Sequence, residues 1–379
     1  MVPKEYYGRL FTKEQLPVNY HPEALTLESM IKVDKQLRCK RCYSRIEEDW
    51  QLPGGQYYCR ACIVFGRNQE GKELYYFPSK TSEIEFPVLK WSGELTPYQA
   101  KVSEKLLRTY QKHKDSLVHA VTGAGKTEMI YNIVAYVLEN KGYVAIASPR
   151  VDVCRELFLR MKRDFTCSIS LLHAESEPYD GSPLVIATTH QLLKFYQSFD
   201  LVIVDEVDAY PFVGNVMLNH AVEQAKTETG RFIYLTATST LSLEEQVRLG
   251  TLEKHHLARR FHGNPLVLPK FFWQGRLQKS LTRGKLPRPL LYQIKKQRKS
   301  KFPLLIFFPN IAIGEKFTSI LQKYLPNEKM AFVSSKSEER STIVEKFREK
   351  ELSILVTTTI LERGVTFPQV DVFVCMANH

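Results

Sequence analysis

The chain has 379 residues, 44% of them hydrophobic and 25% charged, the make-up of a globular protein with two or three domains rather than one. It holds no apolar run long enough to span a bilayer, and Met1-Val2-Pro3-Lys4-Glu5 lacks the basic-then-apolar order of a secretion signal. The expected compartment is therefore the cytoplasm, with peripheral attachment to a membrane complex left open. A net charge of +12 predicts a polyanionic partner.

Residues 1–35 read as mixed and partly helical at best. Residues 36–65 carry Cys39-Lys-Arg-Cys42 and Cys59-Arg-Ala-Cys62, two CxxC knuckles sixteen residues apart. Thiolates at this spacing on tight turns can converge on one Zn²⁺, and four protein ligands make a structural rather than a catalytic site. So small a module buries little core, so the metal is expected to supply most of its stability. The other three cysteines, Cys154, Cys167 and Cys375, sit among apolar neighbours and read as core. A short connection follows, with aromatic alternation over 74–77. Thr96-Pro97 then opens a helix, with Thr96 as N-cap and Pro97 in the first turn.

From there apolar strands alternate with amphipathic helices. Strands are expected at 116–120, 143–148, 169–173, 184–188, 201–205 and 232–236, with helices at 127–140, 153–163 and 217–226. A second unit of the same kind starts near 264. Its helices are expected at 290–298, 311–325 and 337–350, and its strands at 304–308, 330–333, 354–358 and 370–374. The fold class is α/β: two tandem doubly wound parallel-sheet lobes, 91–262 and 263–379, behind an N-terminal region, 1–90, that holds the zinc module.

Residues 120–127, Ala-Val-Thr-Gly-Ala-Gly-Lys-Thr, lie between a strand and a helix. In this context the backbone of Thr122, Gly123, Ala124 and Gly125 can wrap phosphates, and Lys126 can neutralise the β/γ oxygens. Thr127 can ligate Mg²⁺. About 80 residues on, Asp205-Glu206-Val207-Asp208 ends a continuous apolar run. Asp205 suits Mg²⁺, and Glu206 suits activation of the attacking water. Gln99 has a donor and an acceptor that can read adenine, or it is an exposed helix glutamine. Thr236-Ala237-Thr238 ends a strand, and its hydroxyls either couple hydrolysis to movement or cap the strand. Arg150 in Ser148-Pro149-Arg150, Thr188-Thr189 and Thr358 stand at strand ends where short polar groups suit a row of phosphates; each alone is a cap or turn. No Asp or Glu occurs from Lys254 through Gly314, while basic residues cluster there, which favours nucleic acid over a merely solvated face.

The combination resembles the two-lobed helicases of superfamily two over residues 91–379. Ala120–Thr127 is similar to motif I, Asp205–Asp208 to the DExD-type motif II and Thr236–Thr238 to motif III. The stretch Thr-Thr-Ile-Leu-Glu-Arg-Gly-Val-Thr-Phe-Pro over 358–368 is similar to motif V. Segments 148–150 and 188–192 are similar to the DNA-contacting motifs, and 95–99 to the adenine-reading element. With the four-cysteine module in front, with His-Ala-Val-Thr-Gly-Ala-Gly-Lys-Thr-Glu and with Asp-Glu-Val-Asp-Ala-Tyr-Pro, the whole chain resembles the ComFA family of late-competence DNA-uptake ATPases.

That resemblance implies an ATPase stimulated by single-stranded DNA, placed peripherally at the inner face of the membrane. ComFC and the ComEC channel are the implied partners, and a homo-oligomer is compatible with the sequence. ATP is expected between the lobes, with Arg363 matching the arginine of motif V at that cleft. Thr366 stands where related helicases often carry Asp. The sequence ends ahead of motif VI, so the second lobe reads as incomplete. An arginine supplied from elsewhere can be worth ~10³–10⁵ in turnover in other nucleotide hydrolases. The chain as written is thus expected to bind ATP and to hydrolyse it poorly unless another subunit provides that charge. The reading is an ATP-dependent translocase on single-stranded DNA that drives uptake in natural transformation. The rival readings are a duplex-unwinding repair or replication-restart helicase, an ATP-dependent DNA-binding scaffold and, less favoured, an RNA helicase.

Overall fold

The computed structural model describes residues 2–17, 23–82, 84, 86–260, 268–275, 277–358, 367 and 369–376. Arg363 and Thr366 lie outside the described residues. The chain folds as two compact units, residues 1–266 and 267–379.

The first unit begins with β1 (Leu10–Thr12), β2 (Leu25–Glu28), β3 (Met30–Val33), β4 (Gln36–Cys39) and β5 (Glu73–Tyr76). The described residues among 1–35 are mixed, with short strands and single 3-10 turns at Lys4–Tyr6 and Lys13–Gln15, and the aromatic run at 74–77 lies largely in a strand rather than a connection. The strands form an antiparallel sheet, β1-β5-β2, and a β3-β4 hairpin. Leu10 pairs with Tyr76 and Thr12 with Leu74, so β1 owes its order to a partner more than sixty residues away.

The rest of the unit is α1 (Pro97–Gln111), β6 (Asp115–Ala120), α2 (Lys126–Met129), α3 (Tyr131–Glu139), β7 (Val144–Ser148), α4 (Val151–Asp164), β8 (Ile169–Leu172), β9 (Leu184–Thr188), β10 (Phe199–Asp205), α5 (Val216–Ala225), β11 (Lys226–Thr236), α6 (Leu241–Arg248) and β12 (Leu252–Leu257). The helix expected over 127–140 is interrupted at Ile130, whose N–H turns back to the Thr127 carbonyl at 3.3 Å in a tighter turn. The seven strands run in the order β12-β6-β11-β10-β7-β9-β8, and every pairing is parallel.

Both faces of this sheet are covered, which is why its central strands are near-continuous apolar runs. Val144 and Ile146 of β7 pack with Val134, Leu157 and Ile203 on one face. Ala145 and Ala147, one residue out of phase, pack with Val202, Val204 and Val222 on the other. A parallel sheet aligns all its carboxyl ends along one edge, so residues ending β6, β10, β11 and β12 meet there whatever their distance in sequence.

The second unit holds α7 (Leu277–Thr282), α8 (Arg288–Arg298), β13 (Leu304–Phe307), α9 (Ile311–Tyr324), β14 (Met330–Val333), α10 (Arg340–Arg348), β15 (Ile354–Thr357) and β16 (Asp371–Val374). Its sheet runs β14-β15-β13-β16, again all parallel. Leu304, Ile306, Ile354 and Val356 pack under Phe317, Ile320 and Leu321 of α9. The alternate residues Leu305 and Leu355 pack against Val344 and Phe347 of α10.

Candidate nucleotide site and cysteine cluster

The turn between β6 and α2 needs left-handed backbone at Gly123 (φ 78°) and Gly125 (φ 73°), which glycine adopts without steric cost. Gly125 is doubly constrained, because a methyl group there would collide with the Gln99 side-chain nitrogen. Gln99 is buried and is bonded at both ends of its amide. Its Oε1 accepts from the Thr96 N–H and hydroxyl, each at 2.9 Å. Its Nε2 donates to the Ala124 carbonyl at 2.8 Å. Thr96 and Gln99 form a capping box with Pro97 in the first turn, so the signal that starts α1 also braces the glycine turn. Gln99 is thus not an exposed helix glutamine. Lys126 Nζ donates to the Ala120 carbonyl at 3.5 Å. Thr122 and Gly123 are exposed, Ala124 is buried, and Gly125, Lys126 and Thr127 are half-buried.

Asp205 closes β10, two strands from β6 in the sheet. Strand spacing puts it about 10 Å across the edge from the end of β6, a span suited to a metal–triphosphate. Asp205 Oδ1 accepts the Glu206 N–H at 2.9 Å. Glu206 is left-handed (φ 55°), a conformation that costs a non-glycine residue about 1 kcal/mol or more. The intervening strand β11 delivers Thr236 and Thr238. Their hydroxyls donate to Asp208 Oδ1 at 2.6 Å and Oδ2 at 2.5 Å. His119 Nε2 lies 3.2 Å from the Ala237 carbonyl, tying the strand before the glycine turn to this loop. The hydroxyls at 236–238 therefore join the acidic turn, rather than only capping a strand.

Ser148 and Thr188 are register partners, which brings 148–150 and 188–189 together on the same edge. The Arg150 guanidinium is engaged by Asp152, with Nε at 3.2 Å and Nη2 at 2.7 Å from the two carboxylate oxygens. Thr189 is 0% exposed, Thr188 is buried, and in the second unit Thr358 is buried at the end of β15.

The four knuckle cysteines are each 0% exposed, and their sulfurs lie within 4.8 Å of one another. Cys39 Sγ is 3.7 Å from Cys62 Sγ and Cys42 Sγ is 3.5 Å from Cys59 Sγ. A tetrahedral ion with 2.3 Å bonds sets sulfurs about 3.8 Å apart, so the donor set fits Zn²⁺ in number, softness and spacing. Hydrogen bonds from Cys42, Cys59 and Cys62 hold the Cys39 thiol low, and Asn68 Nδ2 adds another at 3.1 Å. The Cys62 thiol is pushed up, chiefly because the charge on Cys39 is stabilised by its proton. Four thiolates this close need a cation before all can ionise.

The module is not a separate bead on the chain. Its cysteines belong to the same buried cluster as Phe195, Phe199, Ala221 and Val222 of the seven-stranded unit. His220 of α5 donates from Nε2 to the Lys40 carbonyl at 3.0 Å, and its ring stacks on Tyr43 at 5.1 Å. The cysteine module therefore has packing from this shared core beside whatever a bound metal contributes. Of the remaining cysteines, Cys154 and Cys375 are buried and Cys167 is partly so.

Residues 96–246 match the DEAD/DEAH box helicase family, and residues 286–378 match the helicase conserved C-terminal domain. Competence protein ComFA of Streptococcus pneumoniae is 55% identical over 378 residues, spanning 99% of this chain and 87% of that protein. The chain belongs to the ComFA family. Competence protein ComFA of Bacillus subtilis is 34% identical over 369 residues, covering 95% of this chain and 79% of its own. Mss116p bound to single-stranded RNA and AMP-PNP superposes with a TM-score of 0.54 at 19% identity, over 74% of this chain and 63% of that one. The Mycobacterium smegmatis helicase Lhr bound to single-stranded DNA and AMP-PNP gives 0.52 at 19% identity, over 74% and 42%. At that identity the likeness is one of fold. This ComFA-family chain is a competence-associated DNA-uptake ATPase of helicase type. Among its described residues no helix is long and apolar enough to cross a membrane.

Several further residues of this chain stand out in the fold. Arg260 follows β12, whose pairing with β6 brings its side chain against Gly123 of the glycine turn. Phe271, Phe272 and Trp273 are 91%, 65% and 98% exposed inside the acid-free stretch, where a FFW triplet flanked by Lys270 was itself a legible signal.

Proposed function

We propose that this protein is an ATP-driven motor on single-stranded DNA that helps draw the incoming strand into the cell during transformation. The observation that carries the nucleotide part is the shared sheet edge, which assembles the glycine turn, the acidic turn and the 236–238 hydroxyls from three parallel strands. There Lys126 holds the β/γ oxygens, with the backbone of Thr122, Gly123, Ala124 and Gly125 around the phosphates. Thr127 and Asp205 would hold Mg²⁺, which neutralises developing charge on the phosphates. Glu206 orients and deprotonates the attacking water. Gln99 sits against the turn, and an adenine contact would share an amide that already braces Ala124. Asp208 links the acidic turn to Thr236 and Thr238, so a change at the phosphates has a bonded route into the sheet edge.

The single-stranded DNA reading is supported by basic, acid-free sequence carrying exposed aromatics, a combination suited to backbone attraction and base stacking. Arg150, Thr188 and Thr358 would track phosphates, Arg150 after release from Asp152, and Thr189, fully buried, would reach them only once its surroundings open. The cysteine cluster holds Zn²⁺ in a structural role. The family resemblance adds ComFC and the ComEC channel as partners, Arg363 as a nucleotide contact, and peripheral placement at the membrane.

The test is ATP turnover measured in parallel with single-stranded DNA, blunt duplex DNA and RNA. Stimulation by single-stranded DNA at least about tenfold above the other two is expected. Equal or greater stimulation by RNA, or strand separation on forked DNA without single-strand stimulation, would replace this reading by one of its rivals.

A further inference from the structure

We infer that Arg260 is a phosphate-binding residue of the nucleotide site, contributed by the edge strand of the sheet. Strand β12 runs parallel to β6, with Leu257 opposite Ala120, the first residue of the glycine turn. The Val121 N–H donates to the Leu257 carbonyl at 3.2 Å, so the two strand ends leave the sheet tied together. Three residues later the Arg260 side chain passes over the turn. A methyl group built on Gly123 would lie 3.7 Å from Arg260 Nε and 3.8 Å from its Cγ and Cδ.

Two further observations show what that guanidinium is for. Its Nε is buried and has no hydrogen-bond partner among the described residues. No ion pair to Arg260 occurs among them either, whereas Arg150, Arg160, Arg163, Arg248, Arg298 and Arg348 each meet a carboxylate. A buried donor of a charged group without an acceptor is costly, and a phosphate oxygen is the acceptor that a planar guanidinium fork matches best. Arg259, its neighbour, is directed elsewhere, with its guanidinium 5.1 Å over the Tyr98 ring. The two arginines thus divide: one is held by the first turn of α1, and the other lies against the phosphate-wrapping glycine. Arg260 and Lys126 place two positive charges around one turn, and among the described residues no ion pair to either is found.

The experiment uses the full chain with Mg²⁺ and displacement of a fluorescent ADP by a non-hydrolysable ATP analogue, ADP and millimolar AMP. Losing one charge-assisted hydrogen bond to phosphate lowers affinity on the order of 10- to 100-fold. Arg260→Ala is expected to show that loss for the analogue, a smaller one for ADP and less than about twofold for AMP. Arg260→Lys should recover part of it. Arg259→Ala should leave the ranking of the three nucleotides unchanged, with unfolding temperatures of all variants matching the parent. Equal losses for all three nucleotides in both Arg260 variants would mean a structural role. Unchanged affinity, or tighter binding because the side chain merely covers the turn, would likewise overturn the assignment. The readout is binding of nucleotide alone, so it is independent of whether single-stranded DNA stimulates turnover.

Discussion

Glu206→Gln is expected to lower kcat for ATP by about 10²–10⁴, the worth of a positioned general base. Glutamine keeps the side chain's size and its capacity to hydrogen-bond, and it removes only the basicity. The backbone that aims it is unusual, since Glu206 sits left-handed directly after the buried strand β10. Its N–H is held by Asp205 Oδ1 at 2.9 Å. Those constraints survive the substitution, so binding of a non-hydrolysable analogue should change by less than about threefold. Lys126→Ala should do the reverse and weaken binding itself. Single-turnover hydrolysis with saturating enzyme separates the two effects. A Glu206→Gln protein that turns over within about tenfold of the parent would remove Glu206 from the chemistry.

Replacing Cys59 and Cys62 together by Ser is expected to abolish metal binding and to destabilise the first unit as a whole. Structural Zn²⁺ in finger peptides contributes apparent free energies of ~10–16 kcal/mol, comparable to the entire stability of an ordinary domain. In an isolated module that loss would stay local. Here the cysteines share a core with Phe195, Phe199 and Val222, and the knuckle is pinned to α5 through His220. Because α5 follows the acidic turn within a few residues, disorder in the knuckle should spread toward Asp205 and Glu206. Metal content by elemental analysis, with thermal unfolding of parent and variant, checks this. A metal-free variant that melts where the parent does would show that the shared packing suffices alone.

The strand–helix alternation after Ser116 was legible because buried parallel strands are apolar on both faces, leaving runs such as Leu201-Val202-Ile203-Val204. The phosphate turn and acidic turn were legible for the same reason, since each is punctuation at the end of such a run. The strands at 10–12, 25–28 and 30–33 were not, because strands of three or four residues carry little periodicity of their own. Their order comes from pairings such as Leu10 with Tyr76. Strand β12 was missed because an edge strand need not be apolar: Leu-Glu-Lys-His-His-Leu buries only Leu252, His255 and Leu257. Without β12 in the sheet, nothing in the sequence brings Arg260 near Gly123. Gln99 was ambiguous for a different reason. A glutamine in the first turn of a helix reads equally as an adenine contact or an exposed helix residue, and its bond to Ala124 exists only in three dimensions.

On the proposed reading the first unit grips magnesium-nucleotide at one sheet edge, through the glycine turn and the acidic turn. A crystal structure of the protein with Mg²⁺ and a non-hydrolysable ATP analogue tests it directly. The triphosphate is expected inside the turn 120–127, within hydrogen-bonding distance of Lys126, with the metal between Thr127 and Asp205. A fully occupied nucleotide bound elsewhere, with Lys126 still donating to the Ala120 carbonyl, would contradict it.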